Sequence, residues 1–294
     1  MTAYIFIIIS FVSSVVGAIC GIGGGIFIKP LLDAFGNIST EMINFLSGCT
    51  VLSMATYSVM QNRLVSLSQL RPQIITGLTA QASGNRTGND YVITAGGIDT
   101  KANGIETKIA LPLAIGAAVG GIGGKWLFSC LSFFFPEQNE IRSIQAICLL
   151  AVTVATLLYT LFKDRIPTHQ IDHPVACGSI GLFLGLISSF LGIGGGPLNL
   201  VVLFFFFSLT TKSAALYSLY IIFFSQLTNL LVAIITKSVP PIQFSLLALM
   251  VIGGLVGGIA GRALYKKFSE ATIHKLFIIM MVVIISVNIY NIYS

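Results

Sequence analysis

Five residues occur twice in this chain, and both times they interrupt an apolar run: Gly21-Ile22-Gly23-Gly24-Gly25 and Gly192-Ile193-Gly194-Gly195-Gly196. A glycine in a helix interior costs roughly 1 kcal/mol relative to alanine, so three in succession break the helix. In lipid a broken helix leaves N–H and C=O groups that no water satisfies. Such a break survives only where protein buries it or where it lines a wet cavity. Paired breaks at corresponding positions of two halves point to a transporter's binding site. The plainer reading is that the glycines serve close helix packing, as small residues do in membranes. That reading would serve for one copy; two copies favour the binding site.

The surroundings of the breaks define a membrane protein. Of 294 residues 55% are hydrophobic and only 9% charged, and the mean hydropathy is +0.93. A soluble domain carries about 25% charged residues. Apolar runs of about 20 residues recur from end to end, which predicts an all-α, polytopic membrane protein. The net charge of +6 resides between the apolar runs, where it sets topology rather than marking a nucleic-acid partner. Met1–Ser14 lacks Lys and Arg, so it reads as the start of a span and not as a cleaved leader. Cys20, Cys49, Cys130, Cys148 and Cys177 form no C-x-x-C and read as small buried hydrophobes. His169-x-x-x-His173 has metal-like spacing but sits in a polar linker before Pro174 with no third ligand, so neither a metal nor a cofactor is expected.

Carrying the spacing of the glycine motifs forward (194 − 23 = 171) sets Ser47 against Ser218. A second pair of blocks, 116–127 (GAAVGGIGGKWL) and 253–264 (GGLVGGIAGRAL), matches at 253 − 116 = 137. The difference, 171 − 137 = 34 residues, is an insertion in the first half, placed in the polar, turn-rich segment Leu64–Ala102. The chain is therefore one integral domain, 1–294, built from a first repeat, 1–165, and a second, 174–294. Each repeat opens with a broken segment (Tyr4–Gly21 with Ile26–Phe35; Val175–Leu191 with Pro197–Leu209). Three spans follow in each: Met42–Met60, Ile109–Leu131 and Arg142–Phe162, then Ser213–Thr236, Ile242–Tyr265 and Thr272–Ile292. Gly116, Gly120 and Gly124, like Gly253, Gly257 and Gly261, recur every four residues and predict close helix contacts.

Charge tests the breaks. If each broken segment simply crosses, with the N-terminus inside, the 16 Lys and Arg split evenly. If the chain turns back at each Gly-Gly-Gly, with the N-terminus outside, only Lys29, Lys125, Arg142 and Lys237 stay outside and 16 − 4 = 12 lie inside. The positive-inside rule selects the second arrangement. It makes the repeats inverted and places residues 61–108 in the cytoplasm, where the Asn85-Arg86-Thr87 sequon would remain unmodified. The insertion is expected to be a mobile cytoplasmic loop.

The motif G-x-G-G-G-x-x-x-x-P (Gly21–Pro30), its echo at Gly192–Gly196 with Pro197, and residues 103–116 (NGIETKIALPLAIG) resemble the sulfite exporter TauE/SafE family of anion permeases. The resemblance covers nearly the whole chain and is specific for the family, not for the substrate. It implies a secondary transporter of the cell membrane for sulfite, sulfonates such as sulfoacetate, or related small anions or organic acids. The driving force would be a proton or other ion gradient; the chain has no G-x-x-x-x-G-K-[ST] phosphate loop. Two departures stand out. The Leu64–Ala102 insertion is unusual for the family, and Pro197 follows its glycines directly whereas Pro30 comes five residues later.

Helix starts after Gly25 and Gly196 would aim N–H groups and positive dipole ends at a shared anion. The expected substrate ligands are Gly21, Gly23, Gly24, Gly25, Gly192, Gly194, Gly195 and Gly196 through the backbone, with Asn44, Ser47, Thr50 and Ser218 through side chains. Ser225, Gln226 and Asn229 are further candidates; a hydrogen bond between helices is the plainer role for each. Lys29, a cation within an apolar run, is expected to snorkel to the outer surface with Asp33; drawing in an anion is the other role open to it. Lys125 and Arg262 correspond to each other and are expected to be anchors at span ends. No acidic residue at membrane depth stands out as a proton carrier. A passive anion channel is the runner-up. No catalytic residue is assigned, because no His/Asp/Glu cluster lies at membrane depth. A purely structural membrane protein leaves the duplicated breaks without a purpose. Oligomeric state is left open.

Overall fold

The computed structural model describes residues 2–34, 39–82, 107–135, 138–241 and 243–293. Among the described residues there are ten α-helices and no strand: α1 (Thr2–Cys20), α2 (Gly25–Ala34), α3 (Thr40–Ala82), α4 (Thr107–Phe134), α5 (Gln138–Phe162), α6 (Pro174–Leu191), α7 (Gly196–Phe207), α8 (Thr211–Ile235), α9 (Phe244–Lys267) and α10 (Glu270–Tyr293). Seven of them, α3 to α6 and α8 to α10, are long and apolar enough to cross a bilayer. The all-α, multi-pass reading of the sequence therefore holds. The second arms of the broken segments are short. With 10 and 12 residues, α2 and α7 are about 15 and 18 Å long, well under the hydrocarbon thickness of about 30 Å.

Each break starts with a glycine in the left-handed region, Gly21 at φ 73° and Gly192 at φ 68°. That conformation ends the helix: the Gly192 N–H donates back to the carbonyls of Ser188 and Ser189. The chain then doubles back. A Cβ on Gly17 would lie 2.5 Å from the Gly24 nitrogen, so the loop after α1 folds onto α1 itself. In the second half the far ends of the hairpin are tied together. The N–H groups of His169 and Ile171 donate to the carbonyls of Phe205 (2.8 Å) and Phe206 (3.0 Å), so α7 ends beside the residues that lead into α6.

The helices interlock between halves. α1 packs on α9 and α6 on α4; α3 packs on α9 and α8 on α4; α3 meets α8, and α5 meets α10. The glycine faces make these contacts at backbone distance. A Cβ on Gly116 or Gly120 would lie 2.0 Å from the carbonyl oxygens of Gly178 and Leu182, and one on Gly257 or Gly261 would lie 2.5 or 2.4 Å from those of Phe11 and Val15 of α1. Lipid is as apolar as leucine, so such close approach, with its dispersion contacts, replaces a hydrophobic drive between helices.

The insertion differs from expectation. Helix α3 does not end near Met60 but runs to Ala82, 43 residues in all. The stretch after Asn62 is richer in Leu, Gln and Ala than in turn residues, and such a composition propagates a helix already nucleated in the membrane. Residues 83–106, with the sequon, lie outside the described residues.

Candidate functional site

The two breaks face each other at the centre of the molecule. Gly23 lies against Ile222 of α8 and Val51 of α3, and Gly194 lies against Val51 and Gln226. Val51 and Ile222 sit about half-way along their spans, Thr40–Asn62 and Thr211–Ile235. A Cβ on Gly23 would be 3.8 Å from the Gly194 carbonyl oxygen, and one on Gly25 would be 2.4 Å from that of Ile193. Helices α2 and α7 thus begin beside each other's break. The first glycine of each break rests on the other half's third helix: Gly21 on Ala215 of α8, Gly192 on Asn44 of α3. Both helix starts bring their positive dipole ends, roughly half a charge each, to this region.

A set of fully buried polar side chains surrounds the meeting point. Ser47, Ser218 and Asn199 are 0% exposed. The two hydroxyls, both amide atoms of Asn199, Nε2 of Gln226 and Oδ1 of Asn44 have no hydrogen-bond partner among the described residues; Ser218 lies on α8 between Ala215 and Ile222, which meet Gly21 and Gly23. The Ser47 oxygen is 3.0 Å from where a Cβ on Gly25 would stand, and Asn199 Nδ2 is 2.5 Å from the corresponding point on Gly195. Buried polar groups are nearly always bonded, and leaving one unbonded costs about 1–3 kcal/mol. Hydroxyl and amide donors grouped beside two helix starts suit an anionic occupant.

The structure brings together most of the residues singled out in the sequence: the eight glycines, Asn44, Ser47 and Ser218, with Gln226 close by. Thr50 is placed apart from them. Its hydroxyl donates to the Leu46 carbonyl (2.8 Å), and its methyl faces Gly254 of α9. Asn199 was missed. The signal was a polar residue three positions past Gly196, on the first turn of an otherwise apolar helix.

Two cations depart from their expected roles. Lys29 does not snorkel; it is 3% exposed. Its Nζ donates to Gln145 Oε1 of α5 and to the Leu191 carbonyl (2.7 Å), while Gln145 Nε2 donates to the Phe190 carbonyl (2.6 Å). The last carbonyls of α6 lose their helical partners at the break and carry the negative dipole end, so an ammonium group is drawn to them. A first-half residue thereby holds the second break in place. Arg262 is no surface anchor either, being 3% exposed against Lys125 in a half-exposed setting. Burial follows from Gly261 and Gly258, which draw α9 onto α1 and α3.

A groove of about 440 Å³ between α4 and α6 is lined by Leu111, Ile115, Val119, Val175 and Leu182 and faces outward. It has no charged lining group and lies away from the breaks.

The chain is 25% identical to the probable membrane transporter protein YunE of Bacillus subtilis (strain 168), in an alignment spanning all of this chain and 98% of that protein. No solved structure matches it. A profile of the sulfite exporter TauE/SafE family matches residues 92–288, a range that contains the second break, while the first is covered by the YunE alignment. With matching residues over more than half its length and a multi-pass helical fold, this chain is a membrane transporter belonging to the sulfite exporter TauE/SafE family.

Proposed function

We propose that this protein is a secondary transporter that binds a small sulfur-containing anion, sulfite or a sulfonate such as sulfoacetate, between its two glycine breaks and moves it across the membrane at the expense of an ion gradient. The observation that carries the reading is the group of unbonded, fully buried Ser47, Ser218 and Asn199 side chains beside two helix starts. Family membership supports the anion class. The interlocking of α1 with α9 and of α6 with α4 supports two repeats related by a twofold exchange. Together with the cation bias, the return of α7 towards the start of α6 supports repeats of inverted topology, with the N-terminus outside.

Uptake of sulfite, sulfoacetate and thiosulfate into proteoliposomes, with and without an imposed pH gradient, tests the proposal. Gradient-driven accumulation of one anion is expected. Flux that only dissipates a concentration difference would make the protein a channel, and no flux through correctly inserted protein would sink the anion reading. Ser47→Ala and Ser218→Ala should each raise the half-saturating concentration by about tenfold, the loss of roughly one charge-assisted hydrogen bond. Orientation is tested separately. In a cysteine-free background Ser238→Cys should react with an impermeant maleimide added outside, and Ser269→Cys should not.

A further inference from the structure

Arg262 is a buried guanidinium, two of whose nitrogens find no partner among the described residues. Its Nη2 donates to Asn62 Oδ1, and its face stacks on Tyr265, 4.4 Å from the ring centroid. Nε and Nη1 have no partner among the described residues. Tyr265 is also held by the start of α8: its hydroxyl donates to the Lys212 carbonyl (3.0 Å), and Lys212 Nζ lies 5.9 Å from the same ring. Two cations therefore converge on one tyrosine. Among the described residues the ionisable neighbours acting on Arg262 are Tyr265 and Tyr57; the Glu270 carboxylate acts on Tyr265 from an exposed position. No carboxylate contacts the guanidinium among the described residues, and a buried cation left without a counter-ion is strongly unfavourable.

The position has a counterpart that behaves differently. At the repeat spacings, Arg262 corresponds to Lys125 (262 − 137), Lys212 to Glu41 (212 − 171) and Tyr265 to Phe128 (265 − 137). Lys125 donates to Ser238 Oγ (2.8 Å) in an exposed contact and has the Glu41 carboxylate in range. Ser238 lies past the end of α8 and Lys212 at its start, about 35 Å apart along the helix. One end of the molecule thus has an exposed cation contact with an acid in range. The other has two cations, one fully buried, with the exposed Glu270 carboxylate acting on Tyr265 between them. This second end adjoins the first break, because Ala215, on which Gly21 rests, is three residues, just under one helical turn, beyond Lys212.

We propose that Arg262 and Lys212 form a binding site for an oxyanion group (sulfite, sulfonate or phosphate) at the face where α8 begins, separate from the site between the breaks. A guanidinium offers five N–H donors, and those left at Nε and Nη1 fit the oxygens of such a group. Its use as a loading site rests on the transport reading; its existence does not. The occupant is either a free anion or the phosphate of an anionic lipid.

The test uses the full chain purified in neutral detergent and follows its unfolding midpoint. The probes are sulfite, inorganic phosphate and phosphatidylglycerol, against chloride of equal ionic strength and phosphatidylcholine. At saturation the wild type and the Ser47→Ala/Ser218→Ala double variant should both rise by roughly 5 °C. Lys212→Gln should lose at least half of that rise. Arg262→Lys, which keeps the charge but not the planar fork, should lose it as well. A rise with sulfite or phosphate assigns the site to a soluble anion, and one with phosphatidylglycerol alone assigns it to lipid. An equal rise in all four proteins, or none with any probe, overturns the proposal. Loss confined to the serine variant also overturns it while leaving the transport reading intact. Should Arg262→Lys fail to fold, the partly buried Lys212→Gln decides. Absence of flux together with an Arg262-dependent rise would reject transport and keep this site.

Discussion

The two breaks share five residues but not their neighbours. Gly21 presses on the backbone of Ala215, with a Cβ position 2.3 Å from that Cα, whereas Gly192 presses on the side chain of Asn44. Pro30 lies inside α2, where its carbonyl accepts from Asn291 Nδ2 of α10 (2.8 Å). Pro197 opens α7, the position at which a missing N–H does no harm. Lys29 of the first arm reaches across to the second break, while its counterpart in the second arm is Leu200. The backbone geometry is thus repeated and the chemistry around it is not. The first break is wedged against main chain, which cannot yield; the second is bounded by a side chain that can. The proposed site between them would have one rigid wall and one adjustable wall.

Gly21→Ala should break the comparison hardest. A left-handed φ costs a non-glycine residue about 1–2 kcal/mol, and overpacking against backbone adds about 1–3 kcal/mol. The expected loss is about 3–4 kcal/mol, read as a collapse in monodisperse yield and unfolding midpoint. A midpoint close to that of the wild type would remove the rigid wall. Next comes Lys29→Met, which strips the donor from Leu191 and Gln145 and should cost about 3 kcal/mol, as when one partner of a buried polar network is lost. Leu200→Met, its counterpart, should stay under about 1.5 kcal/mol; equal losses in the two variants would mean that Lys29 only fills space.

Gly192→Ala should be milder, about 1–2 kcal/mol, because Asn44 can move aside and the conformational cost dominates. Adding Asn44→Ala should recover part of it in a double-mutant cycle. No such rescue exists for Gly21, whose neighbour is already alanine. The smallest effect is expected from Lys125→Gln, within about 0.5 kcal/mol, since the residue makes an exposed contact. A larger loss would mean that the two span-end cations are more alike than their burial suggests.

Much of the proposed site was legible in the sequence. Repetition of the glycine motif picked out the segments that meet, and the spacing of 171 paired Ser47 with Ser218, both of which the fold buries unbonded beside the breaks. Thr50 shows what spacing along one helix leaves undecided. It shares a helix with Ser47, three residues away, yet its hydroxyl is spent on its own helix and its face belongs to α9. Asn199 was hidden in an apolar run, where a single amide leaves no periodic signal.

Hydropathy, span length and helix breaking are properties of a few adjacent residues. The sequence alone therefore determined a multi-pass helical protein, where its helices break, and which glycine faces pack. The fate of the charges was decided elsewhere. Lys29 is buried because the open carbonyl end of α6, 162 residues away, comes within hydrogen-bonding distance. Arg262 is buried because α9 is drawn onto α1 and the start of α8 meets Tyr265. Only tertiary structure decides such matters, because the free energy of a buried charge depends on which distant dipoles and donors the fold gathers around it.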